Sequence, residues 1–229
     1  MHIITIGDLH GASAWTGIIP DGYDRIVFMG DYVDSFFYTD EEILKNLQEV
    51  VSLKKTYPEK IVLLWGNHDL NYLFGNASPH RCSGFRYRML TSLQELFHDN
   101  RTLFQAAWQA GNCLWTHAGI VQRWYTNYLE NRTDPADTDL AATINRLFEA
   151  YYMPLFHVSL SRGGMDRDSG IFWADMTETI LNPLIGYHQV IGHTHTHAGV
   201  IDHLKKDGIT RLTYTDCLDT KTEFFELLI

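Results

Sequence analysis

Short apolar runs that end in a cluster of polar residues recur along this chain. The clearest run covers residues 26–29 and is followed directly by Gly30 and Asp31, and then by Asp34. An unbroken apolar run of this length is typical of a parallel strand that is covered on both faces. Functional sites in open α/β sheets lie at the carboxyl ends of such strands. The two carboxylates therefore mark a candidate site, although a Gly-Asp pair alone is equally typical of an ordinary turn.

Four further apolar runs are followed by Asp, Asn or His in the same way. They are residues 3–6 before Gly7-Asp8-Leu9-His10-Gly11, residues 61–65 before Gly66-Asn67-His68-Asp69, residues 113–116 before His117-Ala118-Gly119, and residues 190–191 before Gly192-His193-Thr194-His195. Five strand ends in one sheet can converge on one point, so the repeated pattern predicts a single shared site. The alternation of strands with a helical segment predicts right-handed βαβ units and an α/β fold.

The spacing of apolar residues elsewhere predicts helices, a hairpin and a terminal group of strands. Residues 39–55 have helical spacing, and Thr39 with Glu42 three residues later forms a capping-box pattern. The remaining predictions are helices over 85–98, 121–130 and 140–151, with Pro135 as a candidate first-turn residue of the last; a hairpin of 101–108 with 112–116; a long surface loop over 159–170; and three antiparallel strands over 199–204, 210–215 and 223–228.

Composition and charge are typical of a globular protein and limit the partners that the chain is expected to bind. With 229 residues, 45% of them hydrophobic and 20% charged, the chain is expected to form one globular domain over residues 1–229. Neither a membrane-spanning run nor a secretory signal is visible, and three scattered cysteines (Cys82, Cys113 and Cys217) fit a reducing, cytoplasmic compartment. The net charge of −10 argues against nucleic acid as a partner. A small phosphorylated substrate remains compatible, because bound metal ions would reverse the local field.

Seven side chains of the five motifs form a mixed set of oxygen and nitrogen ligands. They are Asp8, His10, Asp31, Asn67, His117, His193 and His195. Seven ligands are too many for one tetrahedral zinc ion and suit two ions about 3.5–4 Å apart, with Asp31 as the shared ligand. The absence of cysteine from the set argues against a purely soft metal site. Two such ions would lower the pKa of a bridging water and so supply hydroxide for in-line attack on phosphorus.

His68 adjoins one of these ligands and is a candidate general acid. It could protonate the leaving oxygen of a phosphate ester. Asp34 could orient the imidazole and raise its pKa, as a nearby anion does. The competing interpretation is a hydrogen-bonded histidine that only supports the ligands around it.

The five motifs together resemble the conserved blocks of the calcineurin-like metallophosphoesterases, in particular the bacterial and phage-type relatives of the Ser/Thr protein phosphatases. They follow the family's order from residue 7 to residue 195. The resemblance implies a four-layer α/β/β/α sandwich with mixed sheets. It also assigns Asp8, His10, Asp31 and His195 to one metal, and Asp31, Asn67, His117 and His193 to the other. His68 takes the general-acid role, assisted by Asp34.

Two positions depart from the protein-phosphatase pattern. Ser35 and Phe36 follow Asp34 where those phosphatases have Arg-Gly, and Asp69 stands where they have Glu. Both changes put a protein phosphomonoester substrate in doubt. Arg162 lies in a segment that resembles the one carrying a second arginine of the family. Arg162 and Asn67 are therefore candidate substrate-binding residues. Arg81, Arg86 and Arg88 form a basic cluster in which one member is a candidate replacement for the missing arginine.

The sequence thus predicts a dimetal-dependent phosphoesterase, with a protein or small-molecule phosphomonoester as the favoured substrate. Manganese is the favoured metal, and iron or zinc are alternatives that suit the same ligands. A phosphodiesterase or a dinucleoside polyphosphate hydrolase is an alternative, because the arginine after Asp34 is missing. A non-catalytic interaction module that reuses the fold is the alternative of a different class.

Overall fold

The structure is a computed structural model that describes residues 1–78, 80–133 and 139–229. It divides into two compact units. The first comprises Met1–Gln105 and Cys217–Ile229, and the second comprises Ala106–Asp216. Each unit contains one mixed five-stranded sheet. The prediction that 1–229 form a single domain stays a prediction. Among the described residues, no helix has the length and apolar character needed to cross a bilayer.

The regular elements follow the order expected of an α/β protein. The strands are β1 (His2–Ile6), β2 (Arg25–Phe28), β3 (Ile61–Leu64), β4 (Phe104–Gln105), β5 (Ala107–Ala110), β6 (Cys113–Thr116), β7 (His188–Ile191), β8 (Ile201–Leu204), β9 (Arg211–Tyr214) and β10 (Phe225–Leu228). The α-helices are α1 (Asp40–Thr56), α2 (Asn67–Leu73), α3 (Leu90–Asp99), α4 (Gln122–Tyr128), α5 (Leu140–Glu149) and α6 (Met176–Leu181).

The sheet of the first unit has the order β10-β1-β2-β3-β4. β1 to β4 run parallel, with Ile4 opposite Ile26 and Val27 opposite Val62, and β10 is antiparallel to β1. β2, α1 and β3 form the predicted parallel βαβ unit. The apolar runs that predicted these strands are buried, as continuous hydrophobic strands between covering layers should be.

The capping box at the start of α1 is confirmed. The Thr39 hydroxyl accepts a hydrogen bond from the Glu42 amide at 3.3 Å, and the Thr39 amide donates to the Glu42 carboxylate at 2.7 Å. These two bonds satisfy amides that lack partners at a helix start. The buried side of the helix includes Ile43, Leu47 and Val50, which recur at the helical spacing that predicted this element.

The sheet of the second unit has the order β5-β6-β7-β9-β8. β6, β7 and β9 run parallel, whereas β5 and β8 are antiparallel edge strands. The prediction that all five motif strands belong to one sheet is therefore wrong. β1, β2 and β3 carry three of the motifs in the first sheet, and β6 and β7 carry two in the second.

The predicted strand over 101–108 is two short strands in different sheets. Gln105 pairs with Leu64 of β3, whereas Ala107 pairs with Thr116 of β6. Between these pairings, the amides of Ala106 and Ala107 donate to the side-chain oxygen of Asn145 at 2.8 and 3.0 Å. The Asn145 side chain of α5 thus accepts hydrogen bonds from amides that a continuous strand would have donated to a neighbouring strand. Only β5, the second half of the predicted strand, forms the predicted hairpin with β6.

The terminal group of strands is also divided. β8 and β9 are antiparallel neighbours as predicted, but β10 pairs with β1 of the first sheet. The predicted helix over 85–98 begins only at Leu90, after a 3₁₀ turn over Tyr87–Met89. Asp139 caps α5 by accepting a hydrogen bond from the Ala142 amide at 2.9 Å, and the candidate first-turn residue Pro135 lies outside the described residues.

The segment over 159–170, predicted as a surface loop, is buried at both ends. Ser159, Asp168 and Ser169 are buried, and the Arg123 guanidinium donates to the Asp168 carboxylate at 2.8 Å. The Ser169 hydroxyl donates to a carboxylate oxygen of Glu178 at 3.1 Å. Polar side chains rather than apolar ones hold this loop, which is why its composition gave no sign of burial.

His188 on β7 is a buried histidine outside the predicted site. Its Nε2 lies 2.8 Å from the Thr213 hydroxyl, and its Nδ1 lies 3.7 Å from the Cys113 sulfur. Burial lowers the pKa of His188 from 6.5 to about 4, and the neighbouring Arg211 adds to the decrease. The imidazole is therefore neutral in the folded chain at pH 6.

We predict that His188 makes the fold acid-sensitive between pH 6.5 and pH 4. Its folded pKa lies below its unfolded pKa, so the unfolded chain binds one more proton in this window and stability falls as the pH falls. His188→Gln should lose less stability than the wild type on acidification from pH 7 to pH 4, by about 2 kcal/mol. Urea unfolding across that range measures the difference. His98→Gln, at an exposed position of α3, should keep the wild-type pH dependence.

Candidate functional site

One buried carboxylate joins the turns that follow β2 and β3. Asp69 accepts hydrogen bonds from the amides of Asp31 at 2.8 Å, Tyr32 at 2.9 Å and Gly66 at 2.9 Å. Burial and the nearby Asp31 carboxylate raise the pKa of Asp69 well above its usual range, and the backbone amides oppose that shift. Asp69 therefore fixes the positions of two predicted metal-binding motifs through their backbones. Asp69 stands where the protein phosphatases have Glu, and the residue at this position contacts the backbone of the two turns.

Glycine is required where these turns approach each other. A Cβ on Gly30, whose φ is +99°, would lie 2.5 Å from the Gly66 nitrogen, and a Cβ on Gly66 would lie 2.1 Å from a carboxylate oxygen of Asp31. No side chain fits at either position. The glycines that precede Asp31 and Asn67 thus allow the close backbone contact that Asp69 then bridges.

Backbone strain is concentrated at the predicted site residues. Five non-glycine residues of the described chain have a positive φ, and four of them are His10 (43°), Asp31 (50°), Asp34 (57°) and His193 (64°). An L-residue in this region costs about 1–2 kcal/mol, and Asp and His tolerate it better than most. Such strain is typical of functional sites, where the surrounding structure holds a side chain in a required orientation.

The first unit contains a compact group of metal-ligating atoms. Ligand atoms of His10, Asp31 and His68 all lie within 4.8 Å of one another. His10 Nδ1 donates to the carbonyl oxygens of Val33 at 2.9 Å and Asp34 at 2.8 Å, which fixes the tautomer. Nε2 then presents its lone pair 3.7 Å from an Asp31 carboxylate oxygen. A backbone-anchored imidazole beside a carboxylate is a ligand arrangement that transition metals favour.

Asp8 and Asn67, the other predicted ligands of this unit, are both buried. The Asn67 side-chain amide donates to the Cys82 sulfur at 3.0 Å, which orients the amide group. The roles of Asp8 and Asn67 as metal ligands stay predictions. Cys82 was not predicted to take part in the site. No sequence signal indicated it, because its position follows a loop with no regular pattern.

His68 and Asp34 form the predicted pair. His68 Nδ1 donates to one Asp34 carboxylate oxygen at 2.9 Å, which leaves Nε2 as the nitrogen for proton exchange with a ligand. The imidazole is also hydrogen-bonded to the Cys82 side chain. The Tyr72 hydroxyl donates to the other Asp34 oxygen in a short hydrogen bond and accepts from the Arg86 amide at 2.9 Å. Asp34 is thus held at both oxygens, and Tyr72 is a positioning residue that sequence reasoning missed. Its spacing of four residues from His68 on α2 was the available signal.

The charge on His68 is governed by its anionic neighbours. Burial by itself lowers the pKa of His68, but the Asp31 carboxylate and the hydrogen bond to Asp34 raise it well above its ordinary value. A cation bound to Asp31 would neutralise part of that charge and reduce the increase. The hydrogen bond to Asp34 does not depend on Asp31, and it favours the protonated imidazole that a general acid requires.

In the second unit, His117 and His193 lie together. His193 Nδ1 is 3.2 Å from His117 Nε2, and the two rings are arranged edge to face. Two nitrogen ligands that are each ~2.1 Å from one metal ion are about 3–3.5 Å apart, so this pair fits joint coordination. His195 lies against two other side chains, with its Nε2 3.0 Å from His197 Nδ1 and its Nδ1 3.8 Å from an Asp216 oxygen. Its assignment to the metal of Asp8, His10 and Asp31 stays a prediction.

Three arginines that are candidates for phosphate binding, Arg162, Arg86 and Arg88, have protein partners. Arg162 pairs with Asp175 at 3.0 Å and donates to the Thr194 hydroxyl at 2.5 Å, next to His193 and His195 in the chain. Its role as a substrate ligand stays a prediction, as does that of Asn67. Arg86 and Arg88 both pair with Asp40, and Arg86 also donates to the Ser35 and Tyr38 carbonyls. Both therefore stabilise the segment after Asp34.

A model of the family described as calcineurin-like phosphoesterase matches residues 1–199. The chain belongs to this family. The match confirms the sequence resemblance and the α/β fold class of the metallophosphoesterase type, with two mixed sheets and helices. Members of the family bind divalent metal ions. The His10 imidazole and the Asp31 carboxylate, with His68 beside them, are a group that could hold one.

The individual proteins that this chain resembles match it either over a short stretch or at low sequence identity. A Schizosaccharomyces pombe protein named “Putative serine/threonine-protein phosphatase” is 38% identical over 72 residues, which cover 29% of this chain and 22% of that protein. A solved protein serine/threonine phosphatase of Saccharomyces cerevisiae has 15% identity and a TM-score of 0.48, covering 94% of this chain and 67% of its own. A metallophosphoesterase of Sphaerobacter thermophilus has 14% identity and a TM-score of 0.39, with coverages of 95% and 77%.

We predict that Asp69→Asn destabilises the protein by about 2–4 kcal/mol, because the amide group cannot accept all three backbone hydrogen bonds and leaves buried donors unsatisfied. Urea unfolding at pH 7 measures the loss. Asp99→Asn, which makes the same chemical change at an exposed position of α3, should stay within about 0.5 kcal/mol of the wild type. Equal stability of the two variants would contradict the bridging role of Asp69.

Proposed function

We propose that this phosphoesterase is a metal-dependent phosphomonoesterase that acts on a phosphorylated protein or small molecule by in-line displacement at phosphorus. Family membership supports the phosphoesterase class. The observation that carries the reaction is the 2.9 Å contact between His68 Nδ1 and the Asp34 carboxylate, beside the ligand group of Asp31 and His10. It provides an acid for the leaving oxygen next to candidate ligands for a phosphate-binding metal.

The ligand chemistry fits two metal ions. Asp8, His10, Asp31 and His195 would hold one ion, and Asp31, Asn67, His117 and His193 would hold the other, as the resemblance implies. Manganese suits these oxygen and nitrogen donors, with iron or zinc as alternatives. When bound, such ions lower the pKa of a water molecule and neutralise phosphate oxygens.

The chain's own residues then manage the proton on the leaving group. His68 delivers a proton from Nε2 to the leaving oxygen, while Nδ1 keeps its proton through the bond to Asp34. The Asp34 charge stabilises the imidazolium before transfer, and Tyr72 prevents the carboxylate from rotating away. Tyr72 thus orients Asp34, and Asp34 orients His68. Only His68 exchanges a proton with the substrate.

A phosphodiesterase or dinucleoside polyphosphate hydrolase is the second candidate. Ser35 stands where an arginine would bind the phosphate, and both Arg86 and Arg88 are paired with Asp40. A phosphomonoester carries up to two negative charges, whereas a diester carries one and requires fewer cationic ligands. Comparison of an aryl phosphate, a bis-aryl phosphate and a dinucleoside polyphosphate in the presence of manganese would distinguish the two functions. Hydrolysis of none of them would favour the non-catalytic module.

We predict that His68→Ala lowers the rate of aryl phosphate hydrolysis about 100-fold or more, as expected for loss of a general acid. The loss should be larger for phenyl phosphate than for nitrophenyl phosphate, because the poorer leaving group depends more on protonation. Metal content measured by mass spectrometry should stay near that of the wild type. Asp31→Ala should instead lose both metal and activity. Wild-type rates in His68→Ala would refute the assignment.

Tyr72→Phe tests the positioning of Asp34. Removal of one hydrogen bond to a charged group should lower kcat about tenfold with little change in KM, because the pair is less well oriented while substrate binding is retained. The loss should nearly vanish in a His68→Ala background, since both changes act on the same proton transfer. Additive losses in the double variant would show that Tyr72 acts elsewhere. Tyr128→Phe, on α4 of the second unit, serves as the control.

A further inference from the structure

The buried thiol of Cys82 contacts three side chains of α2. The side-chain amides of Asn71 and Asn67 donate to its sulfur at 2.8 and 3.0 Å, and the His68 imidazole is also hydrogen-bonded to it. Cys82 is only 8% exposed. Buried cysteines usually behave as small hydrophobic groups. Three polar contacts on one sulfur atom, two of them with predicted site residues, therefore indicate a role in the site.

Cys82 reaches α2 from a separate segment of the chain, and Asn71 holds that segment against the helix. The Asn71 amide group also donates to the Asn67 carbonyl at 2.9 Å, and its side-chain oxygen accepts from the Ser78 hydroxyl at 3.2 Å. The Arg81 guanidinium donates to the Asn71 carbonyl at 3.4 Å. The position of the sulfur is thus fixed by contacts that involve neither the Asn67 amide group nor the His68 ring.

The contacts with Cys82 restrict two side chains whose last torsion angles are otherwise soft. The outer torsions of asparagine and histidine have broad preferences. The sulfur fixes the plane of the Asn67 amide group, and His68 is held both by Asp34 at 2.9 Å and by Cys82. Asn67 is a predicted ligand of metal and substrate, and His68 is the proposed acid. A shared anchor keeps the two in a constant relative position, and small displacements of reacting groups cost large factors in rate.

We propose that Cys82 is a positioning residue for the hydrolysis, whose sulfur holds the Asn67 amide and the His68 imidazole in the relative orientation that proton delivery to the leaving oxygen requires. The proposal deepens the proposed function and rests on it for the reaction. Cys82 acts only through these two side chains and exchanges no proton with the substrate. Loss of its polar contacts should therefore misalign the acid even where the fold is retained.

The test uses variants that separate the polar contacts of Cys82 from its volume. Cys82→Val keeps a buried apolar group of similar size and removes the contacts, whereas Cys82→Ser keeps a polar atom. Cys113→Val makes the same change at a buried cysteine of β6 and is the matched control. For each variant, kcat and KM are measured for phenyl phosphate and nitrophenyl phosphate in manganese, and urea unfolding measures stability.

Cys82→Val should lower kcat for phenyl phosphate about tenfold and kcat for nitrophenyl phosphate less, because the better leaving group depends less on protonation. A loss of folded protein would instead lower both rates by the same factor. Cys82→Ser should lie closer to the wild type than Cys82→Val does, and Cys113→Val should keep the wild-type ratio of the two rates. In a His68→Ala background, Cys82→Val should no longer change that ratio.

A second measurement follows the contacts themselves without catalysis. The side-chain amide signals of Asn67 and Asn71 are recorded by NMR in the full chain loaded with zinc, which is diamagnetic. Hydrogen bonds to the sulfur should slow the exchange of these amide hydrogens with water in the wild type. Cys82→Val should shift the signals and speed the exchange, and Cys113→Val should leave both unchanged.

The outcomes separate this proposal from the proposed function. A wild-type ratio of the two rates in Cys82→Val, in an active enzyme, would overturn the positioning role and leave the phosphomonoesterase assignment standing. Unchanged amide signals in Cys82→Val would overturn the role as well, since the contacts would then carry no orientation. Hydrolysis of neither substrate by the wild type would overturn the proposed function, and the role of Cys82 in it would fall at the same time.

Discussion

The structure of the first unit depends on the hydrogen bonds between one buried carboxylate and three backbone amides. Asp69 ties the turn after β2 to the turn after β3, and Gly30 and Gly66 allow those turns to approach within contact distance. The arrangement places the Asp31 carboxylate where the amide of His68 donates to it at 2.9 Å. The metal-ligand candidate and the general acid are therefore positioned by the same backbone contact. A buried charge is costly in itself and is tolerated here because its oxygens are satisfied.

From this contact, a series of hydrogen bonds leads from the half-buried His68 through the buried Asp34 and Tyr72 to Arg86. His68 is held by Asp34, Asp34 by Tyr72, and Tyr72 by the Arg86 amide. Arg86 in turn stabilises the segment that replaces the usual phosphate-binding arginine. Ser35 stands where the protein phosphatases have an arginine. The guanidinium of Arg86 instead donates to the Ser35 and Tyr38 carbonyls and so stabilises this loop. Phe36 and Phe37, which follow Ser35, are exposed. The structure of this loop therefore bears on which substrate can reach the acid pair of His68 and Asp34.

The sequence predicted those parts of the molecule that depend on local pattern. The continuous apolar runs predicted the parallel strands, Thr39 and Glu42 predicted the start of α1, and the types of ligand residues predicted metal chemistry. Contacts between distant residues were not predictable in this way. Asn145 interrupts the strand near Ala106 from about forty positions away, and β10 pairs with β1 across almost the whole chain. The role of Asp69 was equally hidden, because a carboxylate next to metal ligands suggests chemistry and its partners are backbone amides.

The second unit is one uninterrupted segment, Ala106–Asp216, that separates β4 from the last strand of the first unit. During synthesis on the ribosome, β1 to β4 therefore emerge long before β10, and the whole second unit is made in between. Until then the free edge of β1 exposes unpaired backbone groups that could pair with another nascent chain. Pairing of β10 with β1 can therefore complete the first sheet only after the whole second unit has been made, and the nascent chain is exposed to edge-to-edge aggregation during that interval.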